Sequence, residues 1–232
     1  MLKDELYLGC KMNTEKFDDS MNKIKKLLEE EDRARDDVLQ KQRIAIRICS
    51  EAIKSLHRKE YDETDAKIKE AKDIIDEMFV KVSGIKSLEC WKGLTDAAQE
   101  LGEAIIISTI VRKNEMPSIE ECGITLNSYM LACSDAIGEL RRYLMDSLRI
   151  RDFENAQRAF DYMDYIYSEL MTVDYTKMLV GPLRPKVDTA RNLVNKSRTD
   201  LINALQSYEL SKSMSELSLK IDDLKKNFPT KK

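Results

Sequence analysis

Four acidic residues flank glycines in two apolar stretches of the chain: Glu100 and Glu103 around Gly102, and Asp135 and Glu139 around Gly138. Carboxylates spaced i, i+3 or i, i+4 on a helix share one face, a turn apart. Leu94, Ala97, Ala98, Leu101, Ala104, Ile105, Ile106, Ile107 and Ile110 take up most sides of the first helix, so it is largely buried and its acids are poorly solvated. Asp96 adds a third acid one turn earlier. Ionised carboxylates in such a setting require a divalent cation, a basic partner or a shared proton. Donors that are all oxygen suit Mg²⁺ or Mn²⁺. Glycine inside a helix costs about 0.5–1 kcal/mol against alanine, so one beside each acid pair predicts a close helix crossing where four carboxylates converge. Spacing alone equally suits two solvated acidic faces, and both readings stand at this level.

Other chemistries fit poorly. The one histidine, His57, lies outside the Glu-x-x-His pattern of di-iron bundles and reads as an ordinary helix-end residue. No Gly-x-Ser-x-Gly occurs and no histidine neighbours a cysteine, so nucleophilic triads are unsupported. Five cysteines without a Cys-x-x-Cys pair argue against a disulfide framework or structural zinc, and predict a reducing, cytoplasmic setting. A formal net charge of -3 gives no overall basic field, so a nucleic-acid role needs a local or enclosed basic surface. The longest apolar stretch, Ala104 to Val111, contains Ser108 and Thr109 and is too short for a bilayer, which predicts a soluble protein without a membrane partner.

The elements that must position the acids read as helices throughout. Seven glycines and four prolines are few for 232 residues, and the rest is rich in helix formers. A first long helix is expected over about Asn13 to His57, with Phe17, Met21, Ile24, Leu28, Val38, Ala45, Cys49, Ala52 and Leu56 on a near-heptad stripe. Glu31, Arg35 and Gln42 fall on the same stripe, where polar residues fix packing register or face something polar. A second helix, about Asp62 to Val82, stops at Ser83-Gly84. The third and fourth, about Ser87 to Arg112 and Asn127 to Arg149, carry the acids, and Ser118-Ile119-Glu120-Glu121 has capping-box spacing for a short helix between them, closed by Gly123. Asp152 caps a fifth to about Met171, Pro185 marks a sixth to about Tyr208, and Ser213-Met214-Ser215-Glu216 opens a last one. The expected architecture is all-α: one domain over 1–232, a seven-helix bundle of long antiparallel helices with a short disordered tail at about 228–232.

The two acidic segments resemble the translin family, and within it the catalytic subunit of the translin-associated factor X type. Gln99-Glu100-Leu101-Gly102-Glu103-Ala104 is similar to that subunit's Gln-Glu-x-x-Glu-Ala, and Tyr129, Asp135, Gly138-Glu139-Leu140 and Arg142 follow its Tyr-Leu-Leu-Gly…Gly-Glu-Leu-x-Arg pattern. Arg35-Asp36 and the segment to Leu56-His57-Arg58 resemble the family's first helix, so the similarity covers nearly the whole chain. Cys133 stands where the family has glycine, and Asp146 where it has asparagine.

The resemblance implies a translin-like fold and a metal-dependent endoribonuclease acting on single-stranded RNA, and on single-stranded DNA more weakly. It implies a hollow oligomer, typically an octamer, of one chain or of this chain with a translin-like subunit. Carried over by residue, it makes Glu100, Glu103 and Asp135 catalytic metal ligands for Mg²⁺ or Mn²⁺, with Glu139 a fourth ligand, and cleavage leaves a 5′-phosphate and a 3′-hydroxyl. Arg35, Lys41, Arg43, Arg47 and Arg142 are the candidate phosphate contacts. Two alternatives remain. One is a non-catalytic single-stranded RNA- or DNA-binding subunit like translin itself; the other is an all-α nucleoside triphosphate pyrophosphohydrolase, whose second acid pair usually has i, i+3 spacing rather than the i, i+4 of Asp135 and Glu139.

Overall fold

The structure, a computed structural model, describes residues 14–89 and 91–227. Cys10, Cys90 and the tail expected at about 228–232 lie outside them. The elements are α1 (Glu15–His57), α2 (Tyr61–Val82), α3 (Lys86–Glu89), α4 (Lys92–Lys113), α5 (Ile119–Cys122), α6 (Leu126–Arg149), α7 (Phe153–Met171), α8 (Lys177–Val180) and α9 (Leu183–Asn227). The chain is all-α, with no strand among the described residues, as the composition predicts.

α1 and α2 form an antiparallel pair, laced by Asp37–Lys81 at 3.0 Å, Lys41–Glu77 at 2.5 Å and Glu51–Lys67 at 2.8 Å. Such exposed pairs contribute little stability but record the register. The hold comes from burial: Val38, Ala45, Cys49 and Leu56 of α1 join Ala71, Ile75, Met78 and Val82 of α2 in one core with α4, α6, α7 and α9. α4 is its centre, with Leu94, Leu101, Ile106, Ile107 and Ile110 no more than 1% exposed.

The local signals act largely as expected. Ser118 and Glu121 form the capping box, Gly123 closes α5 at φ 64°, and Asp152 accepts from the Asn155 amide to start α7. Two expectations change. The third helix breaks into α3 and α4 at Trp91, whose backbone is extended and whose ring lies over Gly93; a Cβ there would sit 2.5 Å from the ring and 2.9 Å from the Gln42 side chain of α1. The last two expected helices are one, because nothing around Ser213 breaks the helix and the Ser215 hydroxyl donates to the Ser211 carbonyl within it.

The polar residues on the α1 stripe are used in packing: Glu31 accepts from Ser87 at 2.7 Å, Gln42 meets Gly93, and Arg35 pairs with Asp32 and Asp36 of its own helix. The stripe also outruns the body. Phe17, Ile24 and Leu28 of α1 are exposed, and so are Leu210, Met214, Leu217, Ile221 and Leu224 of α9, at alternating spacings of four and three residues.

Candidate functional site

α4 and α6 cross at Gly102, where a Cβ would stand 2.8 Å from the Ala132 Cβ and 2.5 Å from the Ile124 Cδ1. That is the close approach which the glycine predicts. Ser128 ties the start of α6 to the Thr95 carbonyl of α4 at 3.1 Å, and Arg141 of α6 reaches Ser197 at 2.6 Å and Asp200 at 2.7 Å on α9. Gly138 differs: nothing lies within 4 Å of its notional Cβ. It does not serve helix contact, as the sequence suggests, but leaves open space in a cleft.

That cleft is lined by Glu100 and Glu103 of α4, by Ser134, Asp135, Gly138 and Glu139 of α6, and by Lys186, Thr189, Ala190 and Leu193 of α9. All four acids read from the sequence therefore face one space. α1 backs it: burial, then the charges of Glu100 and Glu103, push the Cys49 thiol up to about 12.

The acids are unequally compensated. Asp135 accepts from Lys186 Nζ on one oxygen and from Gln99 Nε2 on the other. Glu139 meets His57 Nε2 at 2.7 Å and Arg142 Nη1 at 3.5 Å. The His57 bond, above all, holds the Glu139 carboxyl below its ordinary range. Among the described residues Glu100 and Glu103 have no such partner. Burial, followed by the charge of Asp135, raises Glu100, while Lys186 opposes the rise. Burial, followed by Glu100, Asp135 and Glu139, pushes Glu103 up to about 8. With all four acids ionised the cleft would carry more negative charge than Lys186 and Arg142 neutralise, and burial instead favours a retained proton on Glu103.

This donor chemistry fits a hard divalent cation, which prefers carboxylate oxygens and supplies the missing positive charge. Among the described residues no three candidate ligands are gathered around one point. Asp135 is turned onto Lys186 and Glu139 onto His57, so the cleft holds its acids ion-paired rather than arranged as a ligand cage.

Of the expected phosphate contacts, only Arg142 stands beside the acids. Arg35 is engaged by Asp32 and Asp36, Lys41 by Glu77, and Arg43 and Arg47 are exposed on α1. Three residues were given no role in the site by sequence reasoning: Lys186, Gln99 and His57. Gln99 adjoins the first acid. His57 ends α1, as read, yet its side chain is 6% exposed and faces Glu139.

The all-α bundle, with acids of two crossing helices facing a cleft walled by a third, has the architecture that the translin resemblance predicts. No protein-family model matches the chain. It is 28% identical over 206 residues to an uncharacterized protein of Methanocaldococcus jannaschii, covering 87% of this chain and 90% of that one. Among solved structures, AfC3PO in complex with duplex RNA matches at TM-score 0.72 and 28% identity, over 81% of this chain and 97% of that chain. AfC3PO alone matches at TM-score 0.70 and 28% identity, over 81% and 98%. NeC3PO without ligand, at 20% identity and TM-score 0.71, over 79% and 96%, shares the fold. These likenesses, to C3PO assemblies of the translin type, show the shared all-α fold and support a translin-family assignment.

Proposed function

We propose that the protein is an RNA-processing subunit of the translin type that hydrolyses RNA phosphodiesters with a divalent cation held in the α4–α6–α9 cleft. The observation that carries this reading is the gathering of Glu100, Glu103, Asp135 and Glu139 around one cleft, two of the four without an ion pair among the described residues. AfC3PO, the 28%-identical relative solved with duplex RNA, supports RNA as the ligand.

Glu100, Glu103 and Asp135 would hold Mg²⁺ or Mn²⁺, with Glu139 a fourth ligand directly or through water. When bound, such an ion supplies a water of lowered pKa and neutralises charge on the scissile phosphate. The chain's own groups do the rest. Gln99 orients the Asp135 carboxylate, and His57 keeps Glu139 ionised and fixed against α1. Arg142, at the rim, is the nearest candidate for a phosphate contact, with Arg35, Lys41, Arg43 and Arg47 serving approach along α1. Single-stranded RNA is the proposed substrate, single-stranded DNA a weaker one, with 5′-phosphate and 3′-hydroxyl products.

Incubation of end-labelled single-stranded and duplex RNA with the protein in Mg²⁺, Mn²⁺ or EDTA tests this. Cleavage is expected only with the cations. Tight RNA binding without metal-stimulated cleavage would instead establish the non-catalytic subunit, which the ion-paired state of Asp135 and Glu139 favours. Turnover of free nucleoside triphosphates alone would establish the pyrophosphohydrolase.

The exposed heptad stripes of α1 and α9 support assembly with further copies or with a translin-like subunit, because rows of exposed leucine, isoleucine and methionine at that spacing bury themselves against another helix. An octamer is the proposed state. The pair Met214→Glu and Leu217→Glu, on the unpacked half of α9, is expected to lower the mass by light scattering from that of eight 26.9 kDa chains without changing helix content by circular dichroism. An unchanged mass would place the interface elsewhere.

A further inference from the structure

We propose that Lys186 is a built-in counterion that occupies the cation position of the cleft, so that a divalent ion binds by displacing its ammonium group from Asp135. The inference rests on the proposed metal site and specifies how that site is controlled.

Three observations carry it. First, Lys186 Nζ donates to one oxygen of Asp135 from a third helix, and both side chains are largely sheltered, at 29% and 25% exposed. Second, Lys186 lines the same cleft as Glu100 and Glu103, although neither bonds to it in this structure. One ammonium thus faces the space shared by the three carboxylates that would ligate a metal. Third, Lys186 is the fourth residue of α9, where the positive end of the helix disfavours a cation. Its placement there is explained by the acids it faces, not by its own helix.

A divalent ion coordinated by Asp135 at an ordinary ligand distance of about 2.1 Å needs the same carboxylate that holds the ammonium, and two adjacent cations repel. Both cannot occupy the cleft in their preferred places. Lysine suits this exchange, because its charge is a compact point on a flexible four-carbon stem and has no planar fork to fix it. Once displaced, the ammonium stays on its stem in the cleft that Thr189 and Ala190 also line, where it would meet a phosphate brought to the acids. The same group therefore balances the empty cleft and becomes a phosphate contact in the loaded one. That accounts for the acids being ion-paired rather than preassembled as a cage.

The test is Mn²⁺ titration of the full-length protein followed by electron paramagnetic resonance of free Mn²⁺, comparing wild type with Lys186→Met, Lys186→Gln and Lys186→Arg. Removing the ammonium while keeping a similar stem is expected to tighten Mn²⁺ binding about tenfold in the Met and Gln variants, a usual size for coupling between competing occupants. The Arg variant retains the charge and its fork holds Asp135 more firmly, so Mn²⁺ is expected to bind no tighter than in wild type. Cleavage of RNA is expected to fall in the Met and Gln variants despite tighter metal, because the phosphate contact is gone. Mn²⁺ affinity in the Met and Gln variants equal to or weaker than wild type would overturn the displacement model while leaving the metal site standing. Wild type that binds no Mn²⁺ would overturn the metal reading and this inference with it.

Discussion

Glu103→Gln is expected to lower Mg²⁺-dependent RNA cleavage by roughly a thousandfold, the scale on which removal of one preorganised charge-stabilising group acts, while RNA binding persists. The same variant has a signature in EDTA that needs no substrate. Burial and three neighbouring carboxylates raise the Glu103 carboxyl from 4.5 to about 8. Between those values the folded chain keeps a proton that the unfolded chain releases, so this group's contribution to stability falls as pH rises through that window and levels off above it. Glutamine cannot ionise, and its stability profile is flatter across the window. At pH 8 the variant is expected to melt about 3 °C above wild type, corresponding to about 1 kcal/mol for a chain of this size. Adding Mg²⁺ narrows the gap, since a bound cation favours the ionised carboxyl. Parallel melting profiles from pH 5 to 8 would show that Glu103 is solvated and ionised throughout.

Alanine at the two interior glycines is expected to act in opposite directions. At Gly102 the new methyl stands 2.8 Å from the Ala132 Cβ, which is fixed to the α6 backbone, and α4 and α6 must part. Overpacking of this kind destabilises by about 1–3 kcal/mol. At Gly138 the methyl meets open space, and the better helix propensity of alanine stabilises by about 0.5–1 kcal/mol. The cleft narrows there, however, and metal-dependent cleavage drops. Urea midpoints at constant slope measure the first contrast. A stability loss at Gly138 as large as at Gly102 would mean that position 138 of α6 is packed rather than open.

Those two glycines also mark the limit of what is legible in the sequence. Both precede a glutamate inside an apolar helix, and no local pattern distinguishes them. The distinction depends on how far α6 is rotated toward α4, which the whole core sets. Caps and turns were readable because their chemistry is local: Ser118 with Glu121, Asp152 with Asn155, and Gly123 at φ 64°. The Ser213 to Glu216 motif misled for the same reason, since a capping box is only two side chains and nothing there obliges the helix to stop.

The acids were readable as a set because i, i+3 and i, i+4 spacing fixes one face. Their partners were not. Lys186 follows Asp135 by 51 residues and His57 precedes Glu139 by 82, and only the packing of α6 on α9 and on α1 brings them together. One faint signal existed for Lys186: a lysine in the opening turns of a long helix opposes the macrodipole and calls for an explanation elsewhere.

α9 runs unbroken for 45 residues. Its first turns carry Lys186 into the cleft, and its far half, past Tyr208, carries the exposed stripe centred on Leu217. At the usual rise per residue the two lie about 46 Å apart on one rod. Swinging such a rod by about 5° about its packed end moves the stripe by roughly 4 Å, nearly a helical turn. The helix is thus shaped as a lever: a partner seated on its outer arm, as proposed above, would bear on the angle at which its short arm presents the lysine to the acids.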